Sequence, residues 1–154
     1  MQKFIPGLIA LFVCLGLSCG TGSGNGDVGP SPAVGNFIGA WLVTNITTLS
    51  CSGQLGQSKL SSVPMIFSAG SDADLQATTP TGCLFKFDVS GTKATLVNGP
   101  VSCSSAIDGE SIDYAFARST AMSSDGHQLE SVSSGTATNG GAKCTFTIAG
   151  IAVR

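Results

Sequence analysis

Six cysteines and one histidine are the residues best suited to chemistry in this chain of 154. A Ser-His-Asp hydrolase would have to take His127, the single imidazole, as its base. His127 follows Asp125-Gly126, a dipeptide that favours a tight hairpin turn and therefore a solvated position. The sequence has no Gly-x-Ser-x-Gly elbow to lift a serine nucleophile above a sheet. No catalytic residue is expected on these grounds. Zinc is normally held by grouped Cys and His ligands, and this chain has no Cys-x-x-Cys pair to begin such a site. Calcium would draw on carboxylates, either Asp72 with Asp74 or Asp108 and Glu110 with Asp113. Their spacing does not fit an EF-hand loop, and acidic loop residues are ordinarily just solvated. The Gly-rich run from Gly20 to Gly29 lacks the Lys-Ser/Thr that follows a phosphate-binding loop. Neither a metal nor a cofactor is expected.

Composition narrows the partners. Charged residues form 10% of the chain, against about 25% in ordinary globular proteins. Ser and Thr number 35, so hydroxyls carry the solubility. Apart from Lys3, six basic residues face nine acidic ones. No basic patch interleaved with aromatics exists, so nucleic acid is not an expected partner. Protein partners are left open.

The elements that must position these residues read as strands. Trp41, Val43, Asn45, Thr47, Leu49 and Cys51 fall on one face of a strand from Phe37 to Cys51. Val63 to Phe67 is a short second strand, whose Pro64 implies an edge or a bulge. Asp74 to Thr79 is a weaker third. Phe85, Phe87 and Val89 share a face of the strand from Cys83, and Ser90-Gly91 turns it into Thr92 to Val97. Ile112, Tyr114 and Phe116 align in Ser111 to Met122. Asp125-Gly126 then leads to Gln128 to Thr138, and Gly140-Gly141 to Lys143 to Val153. About eight strands, short turns and no helical period predict an all-β fold. The architecture is an antiparallel up-and-down meander closed as a barrel, with a β-sandwich as the alternative.

Cys51, Cys83, Cys103 and Cys144 form an even set, and four cysteines allow three pairings. The meander selects one of them. If the first and last strands pair antiparallel, the register that sets Cys51 opposite Cys144 also sets Leu49 opposite Phe146, Thr47 opposite Ile148 and Val43 opposite Ala152. It brings Arg154 beside the Trp41 ring, where a cation–π contact would contribute about 0.5–2 kcal/mol. Cys83 and Cys103 are left to clamp the hairpin between them.

The N-terminus carries an address. Lys3 precedes an apolar run of 14 residues, Phe4 to Leu17. A membrane span needs roughly 20, so the run fits a cleaved signal peptide over residues 1–18. Leu17-Ser18-Cys19-Gly20 resembles a bacterial lipobox, with Gly16 departing from the usual aliphatic residue. The resemblance implies a lipid on Cys19, cleavage before it, and a membrane partner through that anchor. Gly20 after the cysteine implies the outer membrane of a Gram-negative bacterium. Cleavage after Gly20, giving a soluble secreted protein, is the alternative. Residues 19–35, rich in Gly, Ser and Pro, read as a flexible linker, and residues 36–154 as the barrel domain. Asn45-Ile46-Thr47 matches a glycosylation sequon, which has no ordinary meaning in a bacterium.

Gly39-Ala40-Trp41 resembles the Gly-x-Trp motif in the first strand of lipocalins and related calycin barrels. There the Trp packs near an Arg of the last strand, and Arg154 matches it. The whole domain is also similar to uncharacterised bacterial secreted lipoproteins with paired cysteines and Ser/Thr-rich strands. The lipocalin resemblance implies that Phe85, Phe87, Tyr114, Phe116 and Phe146 could line a pocket for a small apolar ligand. The same five could instead simply fill a packed core. The expected role is a non-enzymatic, membrane-tethered module of the cell envelope, acting by binding or structurally. A lipocalin-like carrier is the alternative, and a secreted hydrolase or inhibitor the competing class.

Overall fold

The computed structural model describes residues 31–52, 54–56, 59–107 and 110–154. Residues 1–30, which hold the expected signal peptide, Cys19 and most of the expected linker, lie outside the described residues, as does Asp108. The described chain is almost wholly strand: β1 (Gly39–Cys51), β2 (Gln54–Leu55), β3 (Lys59–Ala69), β4 (Leu75–Thr78), β5 (Leu84–Ser90), β6 (Lys93–Leu96), β7 (Val101–Ile107), β8 (Glu110–Met122), β9 (Gln128–Asn139) and β10 (Ala142–Val153). All pairings are antiparallel. Eight strands close on themselves in the order β1, β3, β4, β5, β6, β8, β9, β10, with β10 returning to β1. The fold is thus the closed barrel rather than the sandwich. β7 pairs with β8 beyond β6, and the two residues of β2 add to the end of β1.

Why β1 and β10 meet is visible in their register. Along β1 and β10, Val43 faces Ala152, Thr47 faces Ile148, Leu49 faces Phe146 and Cys51 faces Cys144. Inward residues of β1 therefore meet inward residues of β10, so a slip of either strand by one residue would turn its apolar row to water. β9 and β10 are joined by Gly140-Gly141, both at positive φ (52° and 89°). That geometry belongs to the two-residue hairpin loops whose twist matches the strands.

Three features depart from the sequence expectations. Pro32–Gly35, assigned to the linker, form a short helix, α1. Ser31 caps it by accepting the Val34 amide at 3.4 Å, Pro32 presets its first turn, and Val34 is buried in the core. Among the described residues, the packed structure thus includes α1 as well as the residues from Asn36 onward. β3 starts at Lys59, four residues before the expected Val63. Its Pro64 lies in the stretch paired only with β1, since β4 joins β3 only from Ile66 to Ala69. That half-free position explains how a residue without an N–H sits inside the strand. β7 was not expected at all. It follows a cis Gly99-Pro100 bond, and its Ser-rich sequence carries little apolar alternation.

Both cysteine pairs form as expected. The Cα atoms of Cys51 and Cys144 are 4.3 Å apart, and those of Cys83 and Cys103 are 5.7 Å apart. Cys51–Cys144 spans 93 residues; a link across so long a loop stabilises the fold by roughly 4–5 kcal/mol in the chain-entropy account.

Candidate functional site: the barrel interior

Two ends of the barrel differ. At the first, Phe37 and Trp41 are buried at 0% and 1% exposure, and the Trp41 indole N–H donates to the Phe37 carbonyl at 2.7 Å. The Arg154 guanidinium carbon lies 4.6 Å from the Trp41 ring centre. Arg154 also donates to the carbonyls of Gly126 and Ile38, tying the last strand to the first strand and to a turn. α1 and this cluster plug the end.

The other end is open at the side. β4, β5 and β6 are short and pair only near the plugged end. Beyond them, Lys59–Met65 of β3 pair only with β1, and β7 pairs only with β8. The wall parts between β3 and β7. Asn98 compensates part of the lost ladder: its side chain accepts from the Lys86 amide at 2.9 Å and donates to the Leu84 carbonyl at 3.2 Å. The Cys83–Cys103 link holds β5 and β7 together across the same region.

Behind the parting lies a cavity of about 410 Å³. Phe85, Phe87, Tyr114 and Phe116 line it. Phe146 does not. It stands behind them, its ring centre 4.9 Å from that of Phe116 and 5.2 Å from that of Tyr114. The reason is height: Phe146 lies on β10 two residues nearer Cys144 than Ile148, which does reach the cavity. Burial raises the Tyr114 hydroxyl above the ordinary phenol range, so it is neutral. The remaining wall adds Val43, Val63, Met65, Phe67 and Leu129 as apolar surface, with Ser and Thr hydroxyls between them.

A bulge in β8 sets this lining. Tyr114 is buried and Phe116 half-buried, while after a register shift between Phe116 and Arg118 the buried residues become Ser119 and Ala121. One extra residue has switched the inward parity of the strand. Without it the hydroxyl of Ser119, 2.8 Å from that of Ser133, would face solvent. Sequence reasoning missed the shift, because Ala115, Ala117, Ser119 and Ala121 suit either face.

The other chemical candidates stand elsewhere. His127 is exposed in the turn before β9 and does not line the cavity. Asp125 accepts the backbone N–H groups of His127 and Gln128 at 2.8 and 3.2 Å, which hold its carboxyl below the usual range. Asp72 is paired with the Lys86 ammonium at 2.5 Å, a hydrogen bond that lowers its pKa. Asp74 accepts the Val89 amide at 2.8 Å, and Asp113 accepts the Ser104 hydroxyl at 2.6 Å. Asp72, Asp74 and Asp113 are thus engaged by the protein itself, while Asp108 and the Glu110 side chain lie outside the described residues. Among the described residues no group of three potential metal ligands assembles. Outside the barrel, Leu42, Ile46, Leu60 and Ile66 lie exposed on neighbouring strands β1 and β3.

No family model matches the chain, and no curated protein matches its sequence. Among solved structures it is similar to a protein of unknown function of the DUF3598 family from Nostoc punctiforme, at 12% identity and a TM-score of 0.43. That likeness covers 79% of this chain and 49% of the other, so the chain spans about half the length of that protein.

Proposed function

We propose that this chain is a non-enzymatic binding module of the cell envelope, whose barrel holds one small apolar ligand. The observation that carries the reading is the cavity of about 410 Å³ behind the parted wall. Its size falls within the roughly 300–1,000 Å³ of small-molecule sites, and eight-stranded barrels are just wide enough for one small ligand. An aromatic wall of Phe85, Phe87 and Phe116 offers the apolar contact, and the opening between β3 and β7 offers a route in. A hydrolase reading gains no support from His127, which does not line this cavity. The tether belongs to the same reading through the lipobox-like Leu17-Ser18-Cys19-Gly20. A lipid on Cys19 would keep the module at the outer membrane of a Gram-negative bacterium, with residues 20–30 as spacer.

The test is thermal denaturation with a neutral bicyclic probe, 2-naphthol. A ligand at one hundred times its Kd adds about 2.7 kcal/mol to stability, so the melting temperature should rise by several degrees. Ser105→Trp, at the half-buried rim on β7, should abolish the rise while leaving the unliganded protein folded. No rise in the wild type, or an equal rise in the variant, would overturn the reading.

A further inference from the structure

The cavity carries a polar arc that its aromatic wall does not explain. Ser61, Asn45, Gly150 and Ser131 lie opposite one another in a single row across β3, β1, β10 and β9. Three of them put polar atoms into the cavity, and the fourth has no side chain. The missing side chain matters. A Cβ on Gly150 would collide with the Asn45 Oδ1 and lie 2.8 Å from the Ser131 hydroxyl. Gly150 is therefore the space into which the Asn45 amide and the Ser131 hydroxyl converge. The Asn45 amide is half-buried and has no hydrogen-bond partner among the described residues. By contrast, Ser119 and Ser133, nearby in the same wall, satisfy each other at 2.8 Å. An amide offers an acceptor and two donors at once, so the Asn45 side chain can take a hydroxyl or a carbonyl of a ligand.

The second observation is charge. Among the described residues, the cavity lining contains no Lys, Arg, His, Asp or Glu. An ionised headgroup entering it would lose water and find no counter-charge, a penalty that outweighs any apolar contact. The row below the arc is wholly apolar: Val63, Val43, Ala152 and Leu129 face one another across the same four strands.

From these two observations we infer that the site selects a neutral amphipathic molecule: an apolar or aromatic body against Phe85 and Phe116, and one uncharged hydroxyl or carbonyl taken by Asn45. Free carboxylates, fatty-acid anions included, are excluded. The inference rests on the proposed binding role and gives it a ligand class.

Three probes of one shape separate the outcomes: 2-naphthol, naphthalene and 2-naphthoate, titrated by NMR at pH 7. The wild type should bind 2-naphthol about tenfold more tightly than naphthalene, the worth of one well-made hydrogen bond, and should bind 2-naphthoate at least tenfold more weakly than 2-naphthol. Asn45→Leu should bring 2-naphthol and naphthalene to equal affinity. In the wild type, the Asn45 side-chain amide resonances should move with 2-naphthol and stay still with naphthalene, a readout that does not depend on the variant folding. Binding of 2-naphthoate as tight as 2-naphthol, or Asn45 resonances that do not respond, would overturn the ligand class while leaving the binding role standing. Failure of all three probes to bind would overturn the binding role itself.

Discussion

The guanidinium of Arg154 lies over the ring of Trp41, 4.6 Å from its centre, and so joins the last residue of the chain to the first strand. Its N–H groups reach the carbonyls of Ile38 and Gly126 at the same time. Replacing Arg154 by Ala removes the ring contact and both hydrogen bonds, and should cost about 1–3 kcal/mol in urea denaturation. Arg154→Lys keeps the charge but not the forked donors, and should fall between. A variant as stable as the wild type would show that the plug does not depend on this residue.

Gly135 marks the bulge that aims the cavity lining. A Cβ there would overlap the backbone of Ala115, with its carbonyl carbon only 2.9 Å away and the Ala117 amide nitrogen 3.1 Å away. Backbone cannot swing aside as a side chain can. Gly135→Ala should therefore lose roughly 1–3 kcal/mol or more. Gly35→Ala, with open space around it in a short helix, is the control and should be near neutral. Equal melting temperatures for the two variants would refute this account of the bulge.

Asp125 makes a statement about acid. Its folded pKa is depressed by the His127 and Gln128 amides, so the unfolded chain takes up the proton first as pH falls. The contribution of Asp125 is complete above its unfolded value of about 3.9 and is lost as pH drops through the lower folded value. A carboxyl titration followed by NMR should place Asp125 below that reference. Asp125→Ala should flatten the corresponding part of the acid limb. A midpoint at or above the reference would contradict the capping geometry.

The address is tested by Cys19. Cys19→Ser in a Gram-negative host should either release the domain from the membrane fraction or leave an unprocessed precursor of higher apparent mass. Unchanged membrane attachment with unchanged mass would end the lipid proposal.

How much of this was legible in the sequence depends on which residues carried contrast. Trp41, Val43, Asn45 and Thr47 alternate without interruption, so the inward face of β1 could be read directly, and the register against β10 followed from aligning two cysteines with two apolar rows. That register places Asn45 opposite Gly150, the heart of the polar arc. β7 carried no such contrast: Ser102, Ser104 and Ser105 suit either side of a wall, and only pairing with β8 decides. The bulge at Ala117 was hidden for the same reason. Phe146 was misplaced because alternation gives the face of a residue but not its height along the barrel. The cavity itself is a property of three short strands, β4 to β6, whose ends leave β3 and β7 half unpaired.

The most direct test of a ligand held inside the barrel is an NMR map of intermolecular NOEs in the complex with 2-naphthol. The account predicts contacts to the Phe85 and Phe116 rings and to the Val43 methyls, all of which face the cavity. Contacts confined to Leu42, Ile46, Leu60 and Ile66 would contradict it, since those side chains lie on the outer face of the same strands.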